Sequence, residues 1–147
     1  MNFLRYLNKK IRTTILCNEL KDKLSFCFLT INENNAMIFN YDENVLDLSI
    51  DFLKNLPTEH KRDGLSLESE IRKTLNCKAS QFNYILTTRL NVCRLNDKTQ
   101  LECDTDIYND AVSFLEKYKD YSVLDNIRQL STTIDLIKRL QQEMSQA

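Results

Sequence analysis

The chain has 147 residues, of which 42% are hydrophobic and 28% are charged, and its formal net charge at pH 7 is −1. This balance predicts a single compact domain over residues 1–147 and argues against a disordered chain. No apolar run approaches the roughly 18 residues of a membrane span, so no transmembrane segment is expected.

The chain contains few residues that interrupt regular structure, with one glycine, Gly64, and one proline, Pro57. Long regular elements are therefore expected, with turns formed by Asn and Asp. The five cysteines form an odd set without a predicted secretory leader, which favours reduced thiols in an intracellular protein, cytoplasmic or nuclear. Frequent Asn, Lys and Ile indicate a low-GC genome, such as that of a virus or a low-GC microbe.

The first predicted element is a helix from Asn2 to about Glu19. Its apolar residues share one face, and residues 1–18 contain four basic residues and no acid. We expect the apolar stripe to pack on a sheet. The alternatives for a basic amphipathic segment are a membrane-surface helix or a mitochondrial targeting sequence. The stripe consists of Phe3, Leu4, Leu7, Ile11 and Ile15.

A β-hairpin and a second helix follow. Strands are predicted at Leu24–Ile31 and Ala36–Tyr41, joined by a turn at Asn34-Asn35. Asp42 is a good N-cap for a helix that ends at Leu56, before the proline. The predicted inward-facing residues of this helix are Val45, Leu48, Phe52 and Leu56.

The second half of the chain repeats this order of elements. After the polar loop TEHKRDG, we predict a helix at Ser66–Lys78, strands at Gln81–Leu95 and Gln100–Cys103, and a helix at Ile107–Tyr118. A helix is an alternative for the first strand, because its apolar residues also fit a helical period. Ser122 and Asp125 form a capping box that opens a last helix, which runs to about Gln142.

A faint internal echo supports the same organisation. CDTDIYNDAVSFLEKY resembles YDENVLDLSIDFLKNL, with Phe52 and Phe114 lying 62 positions apart. We interpret residues 1–62 and 63–121 as a pseudo-repeat, with chance similarity as the alternative, and residues 122–145 as a C-terminal helix. The predicted fold class is therefore α+β: two successive α-β-β-α units around an antiparallel sheet, closed by a long C-terminal helix.

The sequence carries no recognisable reaction chemistry. His60, the only histidine, lies in the hydrophilic segment EHKRD and is expected to be a solvated loop residue. The cysteines lack zinc spacing, the Asp104-Thr105-Asp106 segment fails the calcium-loop pattern, and one glycine cannot form a phosphate loop. We therefore predict a non-enzymatic protein with no catalytic residue, metal or cofactor.

The last helix carries the predicted partner surface. Its apolar residues step by four and three positions, the rhythm of a coiled coil. We predict a protein-interaction module or adaptor that forms a homodimer through this helix, with core packing as the alternative role. The partner-binding residues are Val123, Ile127, Leu130, Ile134, Ile137 and Met144.

The alternative function is a nucleic-acid-binding regulator. Residues 1–18 and 72–96 are basic and contain no acid, whereas residues 42–71 and 97–125 are acidic. Basic segments could hold phosphates and an aromatic side chain could stack on bases, but neighbouring acidic segments could equally neutralise them. The residues of this alternative are Lys9, Lys10, Arg12, Arg72, Lys73, Lys78, Tyr84, Arg89 and Arg94.

Overall fold

Helices take up most of the described chain. A computed structural model describes residues 3–25, 28–31, 37–90 and 105–145. The elements in chain order are α1 (Phe3–Ser25), β1 (Phe28–Ile31), β2 (Met37–Asn40), α2 (Glu43–Lys54), the 3-10 helix Thr58–Gly64, α3 (Leu65–Leu90), α4 (Thr105–Lys117), a one-turn 3-10 segment (Lys119–Tyr121) and α5 (Asp125–Ser145).

The predicted α+β fold is wrong, because the protein is mostly helical. Within the described ranges, strand pairing is limited to β1 and β2, two antiparallel strands of four residues each. Their register places Phe28 opposite Asn40 and Ile31 opposite Met37. So small a pair offers no sheet that several helices could cover. The predicted turn at Asn34-Asn35 lies outside the described residues.

The largest correction concerns the strand predicted at Gln81–Leu95. Residues 81–90 continue α3 without a break, so the helical alternative is correct there. Phe82 and Leu86 are buried four positions apart, whereas Tyr84 between them is exposed. A strand would place all three on one face, but a helix separates the middle residue from the others. Residues 91–95 and the predicted strand Gln100–Cys103 lie outside the described part.

The second copy of the predicted pseudo-repeat falls partly outside the described residues. The positions of its hairpin lie mostly in residues 91–104, which the structure does not describe. The pseudo-repeat of residues 1–62 and 63–121 therefore remains a prediction.

Local signals explain the bounds of α2. The Asp42 carboxylate accepts a hydrogen bond from the Val45 N–H at 3.2 Å, which confirms the predicted N-cap. Such a cap stabilises a helix by about 1 kcal/mol. The buried face was predicted wrongly in part: Leu46 and Ile50 are buried, whereas Leu48 is 61% exposed.

The chain divides into two compact units, residues 1–74 and 75–147. In the first unit, a Cβ at Gly64 would lie 2.5 Å from Leu53 Cδ2, so glycine suits this close approach. The buried apolar residues of this unit are Cys17, Leu24, Leu46, Ile50, Leu56, Leu67 and Ile71.

The second unit has its own buried set, drawn from α3, α4, α5 and the segment that joins α4 to α5. The Phe114 ring lies 5.4 Å from that of Phe82 and 5.1 Å from that of Tyr118, distances at which aromatic rings attract one another. An Asn126 side-chain N–H donates to the Asn76 carbonyl. The buried apolar residues are Leu75, Ala79, Phe82, Leu86, Ala111, Phe114, Tyr118, Leu124, Ile127, Leu130, Ile134 and Ile137.

Candidate functional site

The apolar stripe of α1 is exposed. Phe3 is 71% exposed and Leu4 is 69% exposed, and Leu7, Ile11 and Ile15 are also exposed. The expectation that this stripe packs on a sheet is therefore wrong. We call these five residues the α1 apolar face.

A different face of α1 attaches the helix to the first unit. Thr13, Cys17 and Leu24 are buried, and α1 packs against the 3-10 helix and α2. At 100° per residue, these positions lie on average about 130° around the helix from the α1 apolar face. The helix therefore has two apolar sides, and its more hydrophobic one remains uncovered. Sequence periodicity found that side but could not say whether anything covers it.

His60 is buried, not solvated as predicted. It is 1% exposed, and its Nδ1 lies 3.4 Å from Asp63 Oδ2. Its ring stacks on Tyr6 of α1, with centroids 5.5 Å apart and planes 22° apart. Within the described part of the chain, its Nε2 has no hydrogen-bond partner. The surrounding TEHKRDG segment is hydrophilic, so no local sequence pattern indicated that His60 is buried.

An open pocket of about 520 Å³ lies between α1 and the 3-10 helix. The 3-10 helix contributes Glu59 and His60 to its lining. The five lining residues contributed by α1 are spaced i, i+1, i+3, i+4 and i+7, so most of them share one flank of the helix. That flank was readable from the sequence, but its partner segment was not. The α1 residues are Arg5, Tyr6, Asn8, Lys9 and Arg12.

A buried thiol lies on the packed side of α1. Burial raises the pKa of Cys17 above that of an ordinary thiol, and the Asp63 carboxylate raises it further. A thiol of this kind is mostly protonated near neutral pH and is a weak nucleophile. The geometry therefore gives Cys17 a packing role.

We expect the raised pKa of the Cys17 thiol to appear in the pH dependence of the free energy of unfolding. As pH rises above about 8.5, the unfolded chain ionises its thiol before the folded chain does, so the free energy of unfolding falls. Urea unfolding of wild type and Cys17→Ala between about pH 7.5 and 10 measures this effect. The wild type should lose more stability than the variant, and parallel pH profiles would contradict the raised pKa.

The partner-binding residues predicted on α5 are mostly buried. Ile127, Leu130, Ile134 and Ile137 belong to the core of the second unit, and Val123 is exposed. Met144 belongs to α5, but its side chain lies outside the described part. Four of the six side chains are therefore unavailable to a partner in this structure.

The residues of the nucleic-acid alternative are divided between the two units. Lys9 and Arg12 line the pocket of the first unit. Lys10 and Lys73 belong to the same unit and are exposed. The Arg72 guanidinium donates a hydrogen bond to the Glu68 carboxylate at 3.2 Å. This ion pair compensates the positive charge of Arg72.

In the second unit, the Lys78 ammonium donates to Gln81 and lies 5.0 Å from the Phe82 ring centroid. Tyr84 is exposed. Arg89 belongs to α3, with its side chain outside the described part, and Arg94 lies outside the described residues. Of the predicted set, the described residues Lys9 and Arg12 line a common pocket.

Two further observations bear on the kind of protein. In residues 3–25, 28–31, 37–90 and 105–145, no cluster of three or more His, Cys, Asp or Glu is arranged to hold a metal ion. None of the helices described is both long and apolar enough to cross a membrane. No family model, no curated protein and no solved structure matches the chain.

Proposed function

We propose that the chain is a non-enzymatic, intracellular interaction module that binds a partner protein along the α1 apolar face. The supporting observation is the exposure of five large apolar side chains on one side of a single helix. Scattered exposed hydrophobic residues are normal, but a contiguous apolar strip marks a contact surface.

The form of the strip fits insertion of a helix into a groove. The residues from Phe3 to Ile15 span about 18 Å along the helix axis at 1.5 Å per residue. Anchors at successive turns of one helix face are typical of this mode of recognition. Asn8 and Asn18 border the strip, and polar borders of this kind are common around interface cores.

Charge indicates the chemistry of the partner. Lys10 flanks one side of the α1 apolar face, and Arg5 and Arg12 flank the other. No ion pair within the described residues involves these three cations. A partner groove that is apolar inside and carries carboxylates on its rim would complement them. Two copies meeting through α1 would bring like charges together, which disfavours self-association by this face.

A lipid surface is the competing occupant of a basic amphipathic helix. The chain contains no tryptophan, the residue that together with tyrosine is enriched at membrane interfaces. The α1 apolar face has a single aromatic residue, Phe3. We therefore favour a protein groove, and vesicle binding serves as the contrary outcome.

Paired substitutions on the exposed helix test the proposal. Leu7→Asp/Ile11→Asp should abolish partner capture in affinity purification from native cells, because two anchors become charged. Direct titration of the captured partner, once purified, should show binding weakened by about 100-fold or more. Leu48→Asp on α2, also at an exposed apolar position, is the matched control and should bind normally.

Three results would contradict the proposal. Equal capture by wild type and Leu7→Asp/Ile11→Asp would remove the α1 apolar face from the contact. Flotation of wild type with lipid vesicles, lost in the double variant, would assign the face to a membrane. A concentration-dependent dimer in light scattering, lost in the double variant, would assign it to a second copy. Circular dichroism should be unchanged by both charged variants, because all three positions are exposed.

A further inference from the structure

We propose that the pocket between α1 and the 3-10 helix binds the phosphate group of a small ligand, a phosphomonoester or a pyrophosphate. Arg5, Lys9 and Arg12 would hold the phosphate oxygens, and the buried His60 would supply a further polar contact. The pocket lies beside the α1 apolar face and shares the cations Arg5 and Arg12 with its rim, but it does not use the five apolar side chains, so Leu7→Asp/Ile11→Asp and Lys9→Gln test the two proposals separately.

The first support is uncompensated positive charge. Arg5, Lys9 and Arg12 occupy positions i, i+4 and i+7 of one helix flank, where like charges repel. Within the part of the chain described, none of them takes part in an ion pair. An anion in the pocket would relieve this repulsion.

The second support is the state of His60. Its side chain lines the pocket and is 1% exposed. Asp63 lies against Nδ1, which leaves Nε2 buried without a partner among the described residues. A buried polar atom without a hydrogen bond is costly and rare in folded proteins. Nε2 itself is closed to solvent, so a small movement of the residues that cover it would be needed before a ligand oxygen could give this atom its missing partner.

The ligand class follows from the donor set and the space. Two guanidinium groups with a lysine match the tetrahedral oxygens of phosphate, which accept paired hydrogen bonds. Glu59 is the one carboxylate in the lining, so the three cations exceed it by two charges, the charge of an ionised phosphomonoester. The volume of about 520 Å³ lies in the range of small-molecule sites, so a phosphate with an organic group attached would fit.

Calorimetric titration of the whole chain tests the site. Glycerol 3-phosphate and pyrophosphate are the soluble probes, and succinate, a dianion without phosphate, is the control ligand. We expect one saturable site for the phosphates. Lys9→Gln and Arg12→Gln should each weaken binding about tenfold or more, since each removes a charge-assisted hydrogen bond. Glu59→Gln should strengthen binding, because it removes the only opposing charge from the lining.

Lys10→Gln is the matched variant: it removes the same charge from the same helix, outside the pocket, and should leave affinity within about twofold. Vesicles with and without phosphatidic acid separate the two sources of the phosphate. Binding to the acidic vesicles that glycerol 3-phosphate displaces, and that Lys9→Gln weakens, would support a lipid headgroup as the ligand. Phosphate binding in solution without vesicle binding would support a soluble ligand.

Several results would contradict the proposed phosphate site. These are an absence of phosphate binding, equal binding of succinate, or equal losses in Lys9→Gln and Lys10→Gln. Tight binding of a single-stranded oligonucleotide that both variants weaken alike would indicate diffuse attraction along α1. Thermal melting of every variant shows that it is folded, which is expected because the four substituted side chains are exposed.

Discussion

Leu130→Ala should lower the free energy of unfolding of the second unit by about 2–5 kcal/mol, the range for truncating a buried leucine. Leu130 is fully buried, with 0% of its side chain exposed. The loss has two parts, the transfer free energy of the deleted carbons and the cavity that remains. Urea unfolding followed by circular dichroism measures it.

Leu136→Ala is the control on the same helix, because Leu136 is 44% exposed. This substitution should lower the free energy of unfolding by less than about 1 kcal/mol, since the leucine side chain buries little apolar surface. Equal losses at both positions would contradict the burial of Leu130. Ile134→Asp/Ile137→Asp should unfold the unit, because two carboxylates would enter its core. A folded, monomeric double variant of a dimeric wild type would instead return these residues to the role of a dimer contact.

His60→Ala should lower the free energy of unfolding of the first unit by about 2–4 kcal/mol, near the values for removing a buried aromatic ring. The substitution would leave a cavity beside Tyr6 and remove the stacked ring pair. It would also leave the Asp63 carboxylate without its imidazole neighbour. Chemical unfolding monitored by tyrosine fluorescence or circular dichroism measures the change.

His60→Phe separates packing from polarity at the same position. It keeps a ring of similar size against Tyr6 and removes the buried Nε2 that lacks a partner. We expect a free energy of unfolding within about 1 kcal/mol of that of the wild type. The variant loses the contact between Nδ1 and Asp63, but it also removes the cost of burying Nε2 without a hydrogen bond. A loss as large as that of His60→Ala would show that the imidazole contact with Asp63 stabilises the unit.

The two histidine variants also bear on why such a residue is present. A core built only for stability would not bury an imidazole nitrogen without a partner. Residues that break local rules of this kind are concentrated at functional sites. If His60→Phe is as stable as wild type and fails to bind phosphate, the histidine is retained for the ligand.

Helix ends were predictable where the signals are local. Asp42 caps α2 through a contact three residues away, and Pro57 follows soon after the helix ends. The predicted end of the α4 helix at Tyr118 was equally close to the observed end at Lys117. Capping and proline effects act within a few residues, so they are written in the sequence itself.

The α3 region shows where local patterns are ambiguous. Phe82, Tyr84 and Leu86 alternate as in a strand, while Phe82 and Leu86 are also one helical turn apart. The choice between these periods depends on which side chains find a core. In the structure, buried Leu75 and Ala79 extend the helical period back along α3, and Tyr84 remains in solvent. The context of the whole second unit therefore decided the element.

By itself, the sequence determined the amphipathic character of α1, the cationic flank at Arg5, Lys9 and Arg12, the ends of α2 and the apolar stripe of α5. These properties depend on residue type and spacing, which the chain carries without folding. Only the tertiary structure decided which stripe is covered: α5 supplies core, whereas the α1 apolar face is open to solvent. It also buried His60 beside Tyr6, more than 50 residues away in the chain. Burial depends on what packs against a residue, and contacts between distant segments leave no periodic trace in either segment.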